Sequence, residues 1–356
     1  MNKKVKVLIV DDSAVVRKIL STGLSKDCEI EVVGTAADPF IARDKIIDLK
    51  PDVITLDVEM PRMDGISFLQ RLMTYYPLPV IMVSSLTQAG CETTLRALEV
   101  GALDFVTKPS LDVSHKLDEI VTELAGKIKE SVSVKVKKKE YYKNTDSKNT
   151  GIKYTQTNYA LINSTHKIIA IGASTGGTEA LKEVLMQMPP NAPGILIVQH
   201  MPQLFTKSFA DRLNSVCSIR VKEAADGDSI IPGMALIAPG NYHMELRRNG
   251  ARYFVTINQE PPVRRHRPSV EVLFESVAKY AGSNAVGVIM TGMGDDGARG
   301  LLKMKESGAK TIAQDEESCV VFGMPKEAIK VGAVDKVVSL NKITQTILSL
   351  NNFTGG

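Results

Sequence analysis

The sequence predicts an α/β protein made of two doubly wound parallel-sheet domains joined by a flexible linker. Three observations carry that expectation. Short apolar runs alternate with amphipathic helical stretches from residue 5 to 131, and a second such series opens at Lys167. Strict alternation implies parallel sheets, because parallel neighbours need helical crossovers. Between the two series the composition shifts to Lys, Asn, Thr, Ser and Tyr. The chain has 356 residues, 44% of them hydrophobic and 24% charged, which suits two or three domains of roughly 150 residues with separate cores.

In the first series, 5–10 reads as a buried strand and Ser13 as the N-cap of a helix at 15–24. A strand at 29–35, a helix at 39–49, a strand at 52–56 and a helix at 66–75 follow. A strand at 80–83, a helix at 92–100, a strand at 104–106 and a helix at 116–131 complete five units of each kind. The first domain is assigned to residues 1–125 and the linker to 126–165. Nine lysines against Glu130, Glu140 and Asp146 give 126–160 a net charge of +6. Such a segment cannot bury enough surface to order itself and is expected to be a solvated tether. The second domain, 166–350, shows strand-like runs at 168–171, 195–198, 235–238, 253–257, 285–290 and 310–313. Helical patterns lie at 179–188, 206–216, 269–280 and 298–307, and 235–257 reads as an antiparallel insertion.

The total charge is +4, so everything outside the linker sums to −2 and neither domain offers a broad basic face. No nucleic-acid partner is expected. Cys28, Cys91, Cys217 and Cys319 stand far apart with no C-x-x-C pair, which fits neither a disulfide framework nor a zinc ribbon but does fit a reducing cytoplasm. The apolar run at 5–10 is interrupted by Lys6 and ends in Asp11-Asp12, unlike a signal peptide. No run approaches the ~18 apolar residues of a membrane span, so no membrane insertion is expected.

Strands of a parallel sheet end on one edge, where ligands bind. In the first domain that edge collects Asp11 and Asp12 after strand one, Asp57 after strand three, Ser84 after strand four and Lys108 after strand five. Converging carboxylates repel, and Mg²⁺, which takes few carboxylates and keeps its waters, is the natural neutraliser. A carboxylate beside Mg²⁺ and an ammonium is an acceptor poised for phosphoryl transfer. With Met60-Pro61 and Asp64-Gly65 behind Asp57, these residues resemble the response-regulator receiver domain over the whole of 1–125. The resemblance implies a flavodoxin-like fold with Asp57 as phosphoacceptor. It places Asp11, Asp12, Asp57 and the backbone carbonyl of Glu59 around Mg²⁺, and Ser84 and Lys108 on the phosphoryl group. Phe105 takes the aromatic switch position, where Tyr is the commoner residue.

In the second domain, Gly172-Ala173-Ser174-Thr175-Gly176 matches G-x-S-x-G after a strand, which sets a serine hydroxyl on a sharp strand-to-helix bend. A phosphate-binding turn would share the pattern. A nucleophilic serine needs a base and an acid to orient it. His200 follows the strand at 195–198, and Asp295 and Asp296 follow the strand at 285–290, so Ser, His and Asp share one edge in that chain order. Spacing does not choose between the two aspartates. His243 and His266 are rival bases; the first lies in a Pro-Gly-Asn-Tyr loop. The second sits among Arg264, Arg265 and Arg267, whose positive field is expected to lower its pKa.

The segments Gly-Ala-Ser-Thr-Gly-Gly-Thr-Glu-Ala, Gln199-His200-Met201-Pro202, Arg265-His266-Arg267-Pro268-Ser269-Val270, Thr291-Gly292-Met293-Gly294 and Cys319-Val320-Val321-Phe322-Gly323-Met324-Pro325 look like the chemotaxis protein-glutamate methylesterase domain (CheB type), over about 167–348. That resemblance implies a Rossmann-like fold and a triad of Ser174, His200 and Asp296. Thr175 and the Met293 backbone would be oxyanion or site-forming groups, and the esterase chemistry would need no cofactor. It implies hydrolysis of glutamate γ-methyl esters on methylated chemoreceptors and deamidation of receptor glutamines, in the cytoplasm. A chemotaxis histidine kinase would be the phosphodonor. Arg264, Arg265 and Arg267 are candidates to attract an acidic receptor segment, with surface or inter-domain ion pairing as the alternative.

Overall fold

The computed structural model describes residues 4–60, 63–108, 114–132, 134, 136 and 167–351. Most of the segment assigned as linker lies outside the described residues, as do Pro61 and His166.

The first domain runs β1 (Val5–Val10), α1 (Ala14–Leu24), β2 (Ile30–Ala36), α2 (Pro39–Leu49), β3 (Val53–Asp57), α3 (Gly65–Tyr75), β4 (Val80–Ser84), α4 (Gln88–Val100), β5 (Asp104–Thr107) and α5 (Ser114–Ser131). Short polar side chains start the helices where chain direction must reverse. Ser13 accepts from Val16 N, Asp38 from Phe40 N and Ile41 N, Asp64 from Ser67 N and Thr87 from Gly90 N. The sheet is parallel in the order β2-β1-β3-β4-β5. Its strand order reverses between β1 and β3, so a crevice opens beyond their carboxyl ends.

The second domain comprises β6 (Ile168–Ala173), α6 (Gly177–Met186), β7 (Gly194–Gln199), α7 (Phe205–Val216), β8 (Arg220–Glu223), β9 (Met234–Ile237), β10 (His243–Asn249), β11 (Arg252–Asn258), α8 (Val270–Tyr280), β12 (Ala285–Ile289), α9 (Ala298–Glu306), β13 (Lys310–Gln314), α10 (Met324–Lys330), β14 (Lys336–Val338) and α11 (Leu340–Asn351). Its seven-stranded sheet is parallel in the order β14-β13-β12-β6-β7-β9-β8. The central strands β12, β6 and β7 are buried along their whole length, as expected of strands covered on both faces. β10 and β11 form a separate antiparallel hairpin.

The antiparallel insertion is therefore shorter than 235–257. β9 pairs in parallel with both β7 and β8, because the segment before it crosses back over the sheet. Residues 220–223 and 336–338, not expected as strands, form the two sheet edges. Edge strands are half solvated and lack a continuous apolar run. α10 and α11 were likewise not expected; α10 has only seven residues.

The two domains touch. Phe105 of β5 stacks on Phe205 of α7 with ring centroids 4.4 Å apart. Glu99 of α4 accepts from Lys182 Nζ of α6 at 2.7 Å and from Arg212 Nε of α7 at 2.9 Å. One apolar cluster runs from Leu95 and Leu98 in α4 to Phe209 and Leu213 in α7.

Candidate active site

Ser174 follows β6, His200 follows β7 and Asp296 lies in the loop after β12. These strands are adjacent in the sheet, and the strand order reverses beside β6. Three loops therefore converge on the crevice beyond the carboxyl ends. Gly176 holds the turn into α6 at φ +77°, where a Cβ would lie 2.5 Å from Val320 Cβ; only glycine takes that conformation freely.

His200 Nδ1 lies 3.1 Å from Ser174 Oγ, and His200 Nε2 lies 2.7 Å from Asp296 Oδ2. The carboxylate fixes the tautomer: Nε2 carries the proton and donates it to Asp296, leaving Nδ1 as the acceptor facing the serine. Trypsin-type triads use the two ring nitrogens the other way round. Asp296 is 1% exposed and sits on the N-terminus of α8. Its Oδ1 accepts from Ser269 Oγ at 2.8 Å and Glu271 N at 3.1 Å, and its Oδ2 from Val270 N at 2.7 Å. Burial pushes the Asp296 carboxyl up, but the hydrogen bond and charge of His200 and the donors of Ser269 and Val270 hold it below its ordinary value. A helix N-terminus favours the anion further.

Asp295 takes no part in this chain. It pairs with Arg264 Nη1 at 2.8 Å. Arg267 is bound to Asn241 Oδ1 at 2.7 Å and to the carbonyls of Gln259 and Glu260, while Arg265 is exposed. His243 is 1% exposed, bonds the Pro261 carbonyl through Nε2 and accepts from Ser269 N at Nδ1, so it braces the start of α8. His266 stacks on His200 with ring centroids 3.7 Å apart. Its pKa is pushed down to about 3, as expected in direction, but burial and then the His200 charge cause it before Arg265 does.

Several residues within the motif segments act at the site through contacts that their spacing does not announce. Gln199 Nε2 donates to the Ser174 carbonyl at 2.9 Å and the His200 carbonyl at 3.3 Å, tying both loops together. The Thr291 hydroxyl bonds the Thr175 carbonyl and receives the amides of Val320 and Val321. Thr175 Oγ1 donates across the domain boundary to Asp104, whose other oxygen is 2.9 Å from Lys127 Nζ. Gly126 of α5 packs against the Met293 side chain. Ser269 carries a local signal of its own, a Pro-Ser pair at a helix start.

The first-domain cluster forms at the ends of β1, β3 and β5. Asp11, Asp12 and Asp57 place ligand oxygens within 4.8 Å of one another. Lys108 Nζ lies 2.6 Å from Asp57 Oδ2 and 3.4 Å from Asp11 Oδ2. Burial pushes Asp57 up to about 6 against the hydrogen bond from Lys108, and the Asp11 charge adds to the rise. Burial raises Asp11 as well. Asp11 Oδ2 is buried without a hydrogen bond. A hard divalent cation answers both features, so the donor set fits Mg²⁺. Glu59 is exposed and its amide donates to Asp57 Oδ1 at 3.1 Å. The Ser84 hydroxyl is engaged with Thr94 Oγ1 at 2.7 Å and the Gly90 carbonyl, on the α4 side of its strand. Among the described residues no helix is long and apolar enough to cross a membrane.

Comparison with known proteins matches each domain to a family. The CheB methylesterase family matches residues 169–347, and the response regulator receiver domain matches 7–121. A protein-glutamate methylesterase/protein-glutamine glutaminase of Syntrophus aciditrophicus is 58% identical over 98% of this chain and 99% of its own length. One from Geobacter metallireducens is 55% identical over 96% of this chain and 95% of its own. The crystal structure of the Thermotoga maritima CheB methylesterase catalytic domain is 41% identical with a TM-score of 0.51, covering 52% of this chain and 100% of that one. The chain therefore belongs to the CheB methylesterase family of enzymes, in the form that carries a response regulator receiver domain ahead of the esterase domain.

Proposed function

We propose that this chain hydrolyses glutamate γ-methyl esters on chemoreceptors, and deamidates receptor glutamines, under control of its phosphorylated receiver. The hydrogen-bonded series Ser174–His200–Asp296 carries the reading. Ser174 Oγ attacks the ester carbonyl carbon as His200 Nδ1 takes its proton. Asp296 stabilises the imidazolium and keeps its tautomer. The backbone donors of the Thr175 and Met293 turns face the developing oxyanion. His200 returns the proton to the leaving methoxide, methanol departs, and water, deprotonated in turn by Nδ1, hydrolyses the glutamyl-enzyme. With a glutamine the leaving group is ammonia.

In the receiver, a carboxylate oxygen of Asp57 would accept a phosphoryl group from the phosphohistidine of a chemotaxis kinase. Asp11, Asp12, Asp57 and the Glu59 carbonyl would hold Mg²⁺, whose charge offsets that of the phosphoryl oxygens. Lys108, already on Asp57, would follow its charge onto the product. Ser84 joins only after turning away from Thr94. Docking supports control of the esterase by the receiver. Asp104 occupies the Thr175 hydroxyl and α5 packs on Met293, so receptor access to the serine requires that these contacts part.

The test is methanol release from methylated receptor membranes with and without a small phosphodonor and Mg²⁺. Release by the wild type should rise with phosphodonor. Asp57→Ala should keep basal release and lose the rise, and Ser174→Ala should stay folded and release nothing. Full stimulation of the Asp57 variant would dispose of the control mechanism; esterase activity in the Ser174 variant would dispose of the triad.

A further inference from the structure

His266 is presented to the site by a costly piece of backbone. Val263 and His266 exchange both backbone hydrogen bonds, His266 N to Val263 O at 2.9 Å and Val263 N to His266 O at 3.1 Å. The two residues between them, Arg264 and Arg265, lie at φ 51° and 68°. A two-residue turn of that kind wants φ > 0 at both central positions and ordinarily uses Asn or Gly there. Two arginines take the left-handed region at a steric cost. The turn is held from both ends, through Arg264 on Asp295 and Arg267 on Asn241. Asp295 is the chain neighbour of Asp296, so the anchor ties the turn to the loop that carries the carboxylate.

The result of this construction is a parallel pair of imidazoles, 3.7 Å between centroids and 10° between planes. Both nitrogens on the edge of His200 are occupied, by Ser174 and Asp296, and His266 covers its face. Burial and the His200 charge keep the His266 ring neutral. The charged groups that bear on it are His200, Asp296, Lys127 of α5 and Arg265. A neutral aromatic face resists rotation of its stacked partner and attracts a cation placed over it.

We infer that His266 is a positioning residue for the hydrolysis, holding the plane of His200 so that Nδ1 stays on Ser174 and Nε2 on Asp296 while the imidazole gains and loses its proton. The inference rests on the triad reading and deepens it. His266 is neither base nor ligand in this role; its face does the work, and its nitrogens do not.

The experiment compares full-length wild type, His266→Phe, His266→Leu, His266→Gln and Ser174→Ala, phosphodonor-activated, for kcat and KM of methanol release from methylated receptor membranes. Thermal melting of each confirms the fold. The aromatic variant should keep kcat within about 3-fold of wild type, and the leucine and glutamine variants should lose about 10-fold in kcat with KM within about 2-fold. Two non-aromatic variants of different polarity keep the comparison valid if one of them melts early. Wild-type kcat in a folded non-aromatic variant overturns the inference. So does a phenylalanine variant as slow as leucine, which would assign the effect to a ring nitrogen, and so does a change confined to KM. Ser174→Ala separates the two readings: activity there removes the triad itself, whereas an inert serine variant beside a fully active leucine variant removes only the stack.

Discussion

Replacing Asp296 by Asn changes one atom and tests the orienting carboxylate directly. Every lone pair the carboxylate uses is matched to a donor: Ser269 Oγ and Glu271 N on Oδ1, Val270 N and His200 Nε2 on Oδ2. An Asn amide must turn its NH₂ towards one of these two pairs. Turned towards Ser269, it leaves Glu271 N–H facing another donor, while the serine hydroxyl rotates to accept. Turned towards His200, it leaves Val270 N–H unmatched and forces Nε2 to become the acceptor. The ring proton then sits on Nδ1, which can no longer take the proton of Ser174. Either way one buried N–H loses its partner, at a cost of about 1–3 kcal/mol of stability. In the first orientation the imidazolium loses its anionic partner, and in the second the base is in the wrong tautomer. We expect kcat to fall by about 10²- to 10⁴-fold, with a lower melting temperature and receptor binding preserved. Methanol release at saturating methylated receptor, alongside thermal melting, measures both effects. A variant that stays within about 10-fold of wild type would refute the claim that Asp296 sets the tautomer of His200.

Three further outcomes follow from the contacts. Asp104→Ala removes the charged acceptor of the Thr175 hydroxyl and the partner of Lys127. A bond of that kind contributes about 1.5–3 kcal/mol, so basal methanol release without phosphodonor should rise about 10-fold or more, up to the activated ceiling; an unchanged basal rate would contradict it. Glu99 is pushed up by burial and held below its ordinary value by Lys182 and Arg212 across the domain boundary. A depressed carboxyl supports docking above its undocked pKa of about 4.5 and loses that support as pH falls through the docked value. Limited proteolysis or small-angle scattering should show the wild-type domains separating as pH falls below that range, and Glu99→Gln should weaken docking already at neutral pH. Gly172→Ala would set a Cβ 2.2 Å from Val270 Cγ1, against the helix start that holds Asp296; overpacking of this sort costs about 1–3 kcal/mol, readable as a lower melting temperature.

Much of the architecture is legible in the chain itself, because it is written in near neighbours. A strand covered on both faces must be apolar along nearly all its length, as Ile168–Ala173, residues 194–198 and Ala285–Ile289 are. Strand-end residues of a parallel sheet share an edge, and strand spacing alone therefore groups Ser174 with His200, and Asp11 with Asp57. Edge strands and short helices escaped that logic. Arg220–Glu223 and Lys336–Val338 carry too little apolar signal, although Ile343, Ile347 and Leu350 space the last helix plainly.

Sequence alone determined the fold class, the two clusters of chemistry-bearing residues and the order in which strands deliver them. Spacing leaves the two adjacent aspartates open and the family resemblance implies Asp296; tertiary structure supplies the physical choice, since Asp295 is drawn to Arg264 and Asp296 to the amides of α8. It also decided that Met234–Ile237 joins the parallel sheet, that His266 lies on the face of His200, and that Asp104 reaches Thr175 from the other domain. The physical reason is range: hydrophobic period and turn chemistry act between residues a few positions apart, whereas a hydrogen bond between residues 104 and 175 exists only once two cores have packed.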